Sequence, residues 1–113
     1  MIEVTRLSAY RVMWLFVFFD LPTSTKKERG DAAKFRKELE RDGFNMMQYS
    51  VYIRHCPSVE NKEVHVKRIR AAVPEKGHVA ILAVTDKQFG MIVDLWGARP
   101  RKNMEASLQL TLF

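Results

Sequence analysis

Cysteine is almost missing from this chain: Cys56 is the only one in 113 residues. A single thiol excludes an intrachain disulfide and any zinc site built on cysteines, and it suits a reducing, cytoplasmic setting. Long apolar runs are missing too. No stretch reaches the roughly 18 residues that would span a bilayer, so no membrane-embedded role is expected. The first apolar run ends in an acid and offers no small-residue cleavage site, unlike a secretory leader. Repeats and low-complexity tracts are absent, and the length suits one domain over residues 1–113. Acid is scarce: 13 Asp and Glu against 19 Lys and Arg leave a net charge of +6. That balance favours a polyanionic partner such as nucleic acid or an anionic membrane, although plain solubility also accounts for it.

What is present is apolar residue in quantity, 47% of the chain, enough for one modest core. A chain this small leaves much surface uncovered, which makes pairing with a second copy attractive. The organising stretch is Val12 to Asp20. Val12, Trp14, Phe16 and Phe18 alternate with Met13, Leu15, Val17 and Phe19, so both faces are apolar. This predicts a strand covered on both sides, with Pro22 ending regular pairing soon after Asp20. Asp20, the acid at its carboxyl end, is the first candidate for chemistry.

Residues 1–11 read as a loose arm. Thr25 and Glu28 have capping-box spacing, and a helix from about Lys26 to Asp42 follows, burying Ala32, Phe35 and Leu39. Lys34, Lys37 and Arg41 share another of its faces, and Gly43 suits a left-handed C-terminal cap. Phe44 to Cys56 reads as two strands parted near Gln48 and Tyr49. In the second, Val51 and Ile53 face one way and Ser50, Tyr52 and Arg54 the other. Ser58 caps a second helix with Val66, Ile69 and Val73 as its buried stripe, ended by Pro74. Val79 to Val84 forms another two-sided apolar strand, taken with the first as a central pair. Thr85 and Gln88 again have capping-box spacing, for a short turn over Asp86 to Met91. Ile92 to Trp96 suits one more short strand. A basic connector covers about 98–106, and Leu108, Leu110 and Leu112 alternate with polar residues in a C-terminal strand over 107–113. The order strand, helix, strand, strand, helix, strand is the βαββαβ pattern of an α+β, ferredoxin-like fold, here with a core over 12–97, an added helical turn and C-terminal strand.

Several of these stretches together resemble one family. Val17-Phe18-Phe19-Asp20-Leu21-Pro22, Lys27-Glu28-Arg29, Phe35-Arg36-Lys37, Asp42-Gly43-Phe44, Gln48-Tyr49-Ser50-Val51-Tyr52 and Leu82-Ala83-Val84-Thr85-Asp86-Lys87-Gln88-Phe89 are similar, in order and spacing, to CRISPR-associated protein 2. The likeness is strongest to members from type II loci, where a Thr-acid-Lys-Gln-Phe run follows the fourth strand. The resemblance implies a homodimer that serves in spacer acquisition. It acts there as a scaffold between dimers of the CRISPR-associated protein 1 integrase and helps to hold duplex protospacer DNA. It also implies an alternative, a metal-dependent endonuclease acting on RNA or DNA. In that reading Asp20 is the catalytic acid and metal ligand, with Mg²⁺ or Mn²⁺ as cofactor. The resemblance also implies that the C-terminal strand with Leu108, Leu110 and Leu112 pairs across the dimer or with the integrase; from the residues alone it is either this chain's own sheet edge or a strand added to a partner.

The residues can be weighed beside that likeness. An acid near Lys26, Lys27, Arg29 and a helix start would repel phosphate unless a cation bridged them. Otherwise Asp20 serves as a turn residue bonded to nearby amides. Lys26, Lys27, Arg29, Lys34 and Lys37 are candidate phosphate contacts, giving salt-sensitive and sequence-independent binding, or else a solvated face. Ser50 either orients a ligand or bonds the backbone. His55, His65 and His78 lack ligand spacing, and Cys56 reads as a small buried apolar residue. A generic RNA-binding module is a third reading, supported only by Tyr49 and Tyr52.

Overall fold

The computed structural model describes residues 13–97 and 99–100. The arm at 1–11 with Val12, and the Leu108, Leu110 and Leu112 strand, lie outside them. The elements run β1 (Met13–Asp20), α1 (Lys26–Arg41), β2 (Asn45–Gln48), β3 (Val51–Cys56), α2 (Val59–Ala72), β4 (His78–Thr85), α3 (Asp86–Phe89), β5 (Leu95–Trp96) and β6 (Arg99–Pro100). The first four strands form one antiparallel sheet in the order β2-β3-β1-β4. With α1 and α2 on one face, this is the ferredoxin-like α+β architecture that the element order predicts.

Local chemistry explains where the helices begin. The Thr25 hydroxyl accepts from the Glu28 amide while the Glu28 carboxylate accepts from the Thr25 amide, at 3.1 and 2.9 Å. That backbone bond holds the Glu28 carboxyl below its ordinary range. Helix α1 stops at Gly43, whose φ of 87° lies in the left-handed region that glycine adopts without strain. Ser58 caps α2 through the Asn61 amide.

Strand alternation sorts the core into two layers. Leu15, Val17 and Phe19 of β1 meet Phe35 and Leu39 of α1, Ile69 of α2, and Phe44, Tyr52 and Cys56. On the opposite face, Trp14 and Phe16 pack with Ile53 and Phe89. Burial pushes the Cys56 thiol up to about 11.

Five expectations need correction. Among the described residues the strand at Val79 is not central: β1 and β3 are the inner strands and β4 is the edge of this sheet, with Ile81 and Leu82 exposed. A run apolar on both sides reads the same whether helices or something else cover it. Phe18, expected in the core, is 39% exposed, because α3 covers only the Trp14 end of that face. Val73 ends α2 in extended backbone and faces solvent, and the buried residues of α2 are Ile69, as expected, and His65. The helical turn stops at Phe89, leaving Met91 exposed, and the 92–96 strand shortens to Leu95–Trp96. This strand pairs with Arg99–Pro100 inside the expected connector.

Candidate functional site

Asp20 is set by the residue before it. Phe19 turns into the helix layer, edge-on to Phe35 with ring centroids 5.3 Å apart and tilted against Tyr52 at 5.6 Å. Alternation sends Asp20 the other way, into solvent at the carboxyl end of an inner strand. The Phe19 amide donates to the Ser50 carbonyl at 3.1 Å, carrying the β1–β3 ladder one step beyond Phe18 and Val51. Ser50 takes part here through its main-chain carbonyl, whereas both of its expected roles concerned its hydroxyl. On the other flank Asp20 stands opposite His78 in the β1–β4 register.

Gly77 fixes that flank. Its φ is 116°, and a Cβ there would lie 2.6 Å from Leu21 Cδ2 and 3.2 Å from the Asp20 carbonyl oxygen. Only a residue without a side chain lets the two chains come this close.

The Asp20 carboxylate has no hydrogen bond or ion pair among the described residues. The expected alternative, a turn carboxylate tied to neighbouring amides, is not what the structure contains. Arg29 ties that loop instead, donating to the carbonyls of Thr23 and Ser24 at 3.1 and 3.2 Å. Among the described residues no group of three or more His, Cys, Asp and Glu side chains could hold a metal, and Asp20 belongs to none.

The five basic candidates all lie along α1. Lys27 pairs with Asp31 at 4.0 Å and Glu75 at 3.8 Å, both exposed and therefore weak pairs. Lys27 and Lys34 line a groove between α1 and α2. Lys26 and Lys37 lie about three turns apart along the exposed side of α1. Arg29 is partly occupied by the loop carbonyls.

Two polar constellations escaped the sequence reading. Asp42, the C-cap of α1, meets His65 Nδ1 and the Arg68 guanidinium of α2, each at 2.7 Å. The Trp14 indole N–H donates to Asp86 at 2.9 Å, and its ring stacks on Phe89 at 3.9 Å. With Thr85 and Gln88 forming a second capping box, four residues of the Thr85-to-Phe89 run acquire roles: Thr85 and Gln88 close the turn, and Asp86 and Phe89 fasten it over Trp14.

This is a small ferredoxin-like protein with a single exposed acid where an inner strand runs into a helix with two lysines in its first turn. Comparison gives the family. Residues 13–92 match the family described as CRISPR associated protein Cas2, and the chain belongs to that family. It is 54% identical over 109 residues to a CRISPR-associated endoribonuclease Cas2 of Flavobacterium psychrophilum, covering 96% of this chain and 95% of that protein. A protein of the same name from Parvibaculum lavamentivorans is 54% identical over 101 residues, covering 89% of this chain and all of its own length. Another, from Campylobacter jejuni, is 35% identical over 104 residues, covering 91% of this chain and 73% of that protein.

Proposed function

We propose that this chain is a metal-dependent endonuclease that works as a homodimer, with Asp20 of each copy acting on phosphodiesters of RNA or DNA. The observation carrying this reading is Asp20: an exposed carboxylate with no protein partner among the described residues, at the end of an inner strand. The relatives named as endoribonucleases support it.

A carboxylate is the right donor for Mg²⁺ or Mn²⁺, but one falls well short of the roughly six oxygens Mg²⁺ takes. A two-fold dimer supplies a second Asp20 from the same surface, with water completing the set. When bound, such an ion neutralises phosphate charge and lowers the pKa of a water that attacks phosphorus. The chain's own residues do the rest. Asp20 would hold the ion, and Arg29 keeps the Thr23–Ser24 loop in place. Lys26, exposed in the first turn of α1, receives a neighbouring phosphate.

The test is cleavage of labelled RNA and DNA by highly purified wild type and Asp20→Asn protein over a Mg²⁺ and Mn²⁺ titration. Metal-dependent cutting that disappears in the folded variant supports the reading. Cutting that survives assigns the activity to another site or a contaminant.

A second reading is favoured by the exposed apolar edge of β4. A strand added to that edge, from a second copy or from the CRISPR-associated protein 1 integrase, would cover it. In this role the dimer is a cytoplasmic scaffold for spacer acquisition, holding duplex protospacer DNA through phosphates, with Leu108, Leu110 and Leu112 as the pairing strand. Integration assays with the integrase and the Asp20→Ala variant separate the two readings. Integration persists for a scaffold and fails if Asp20 belongs to the mechanism. Loss of the 107–113 segment should weaken the complex by size exclusion with light scattering, and an unchanged complex would sink the pairing idea.

A further inference from the structure

Tyr49, at the turn between β2 and β3, is 75% exposed, the most exposed aromatic residue among those described. It is nevertheless held in place. The Arg36 guanidinium lies 3.9 Å from its ring centroid and 5.0 Å from that of Phe19, and Arg36 also donates to the Tyr49 carbonyl. A cation against one face of the phenol ring braces it, and the high exposure leaves the other face open to solvent.

The position of this ring matters. Tyr49 precedes Ser50, whose carbonyl takes the Phe19 amide, and Phe19 precedes Asp20. Val51 pairs with Phe18 on one side and with Gln48 on the other, so the Tyr49–Ser50 turn lies at the same end of the sheet as Asp20. An open aromatic face beside an anion-attracting guanidinium is the pairing that single strands use. Bases stack on the ring whatever their sequence, and the cation attracts the backbone. A duplex offers no such face, because its bases are already stacked on each other.

We propose that Tyr49 is a stacking platform for an unpaired base of single-stranded nucleic acid at the Asp20 end of the sheet. Its place in catalysis rests on Asp20 being the reactive carboxylate; the binding itself does not. The groove between α1 and α2 carries Lys27, Arg41 and Arg68 already paired with acids.

The test uses the full chain in EDTA, so that binding is read without chemistry. The probes are single-stranded ribo- and deoxy-oligonucleotides carrying one 2-aminopurine, and a duplex closed by loops at both ends. Wild type and Tyr49→Phe should bind both single strands alike and quench the 2-aminopurine. Tyr49→Ala should bind them about tenfold more weakly, the loss of one stacked base, without quenching. Duplex binding should not change. Tyr49→Leu, which keeps an apolar contact for Arg36 but has no aromatic face, should behave as Tyr49→Ala does and guards against a folding defect. Undiminished binding and quenching by the Ala and Leu variants overturns the proposal, and so does equal loss on the duplex. Cleavage that survives Asp20→Asn while Tyr49→Ala loses single-strand binding sinks the nuclease reading alone. The opposite pattern sinks the platform alone.

Discussion

Trp14 and Asp86 stand 72 residues apart in sequence, and the indole N–H of one donates to the carboxylate of the other at 2.9 Å. The bond fastens α3 over the face of the sheet that α1 and α2 leave uncovered. Asp86→Ala should therefore destabilise the fold by about 1–3 kcal/mol, the cost of a buried donor left without its charged acceptor. Asp86→Asn keeps a carbonyl acceptor and should lose less. Urea denaturation checks both, and equal midpoints for all three proteins would show that the bond contributes nothing.

Asp42 joins the two helices more firmly than either of its partners does. It is nearly buried and serves both the buried His65 and Arg68, whose side chain is 62% exposed. Asp42→Ala should cost about 2–3 kcal/mol by orphaning a buried ring nitrogen. Arg68→Ala, removing an exposed arm, should cost no more than about 1 kcal/mol. Thermal denaturation of the two variants should rank them in that order.

Gly77→Ala combines a left-handed backbone with a Cβ pressed into Leu21. Strain of this kind costs about 1–3 kcal/mol. The atoms that must move belong to Asp20 and Leu21, so this substitution should lower cleavage as well as stability. Asp20→Asn breaks no side-chain bond and should stay within about 0.5 kcal/mol of wild type. A variant pair that differs this way in melting but agrees in lost activity would tie the Gly77 approach to the site.

These contrasts show where sequence alone was informative. Thr25 with Glu28 and Thr85 with Gln88 are contacts three residues apart, so both helix starts could be read from spacing. The alternation of β1 and the split near Tyr49 are local as well. By contrast, Asp42 and His65 meet only after α1 and α2 have packed, and neither residue carries a short-range sign of the other. Trp14 looked like plain core because its polar handle is satisfied from the far end of the chain. Asp20 was legible as the acid ending an apolar run, whereas its freedom from neighbouring amides depends on how the Thr23–Ser24 loop turns away towards Arg29. The edge position of β4 was hidden because Ile81 and Leu82 are apolar in either setting.

Cys56 gives a pH prediction. Its thiol is raised from 9.0 to about 11 mainly by burial, so the folded protein keeps this proton after the unfolded chain has released it. The associated stability is fully present below pH 9.0 and is lost as pH rises towards 11. Denaturation midpoints measured across that window should fall, and in a Cys56→Ala background the fall should be smaller. At pH 8 the native thiol should resist a disulfide reagent that modifies the denatured chain at once.

The two tryptophans occupy opposite environments, Trp14 at 1% exposure and Trp96 at 61%. Their emission is an optical record of two different events. Trp14, stacked on Phe89, keeps a blue, shielded signal as long as α3 stays docked, and reports unfolding. Trp96 contributes the red component that a soluble quencher reaches. Any molecule that covers the β5 strand will shade that component and leave the first unchanged, so assembly and unfolding can be followed separately in one unlabelled sample.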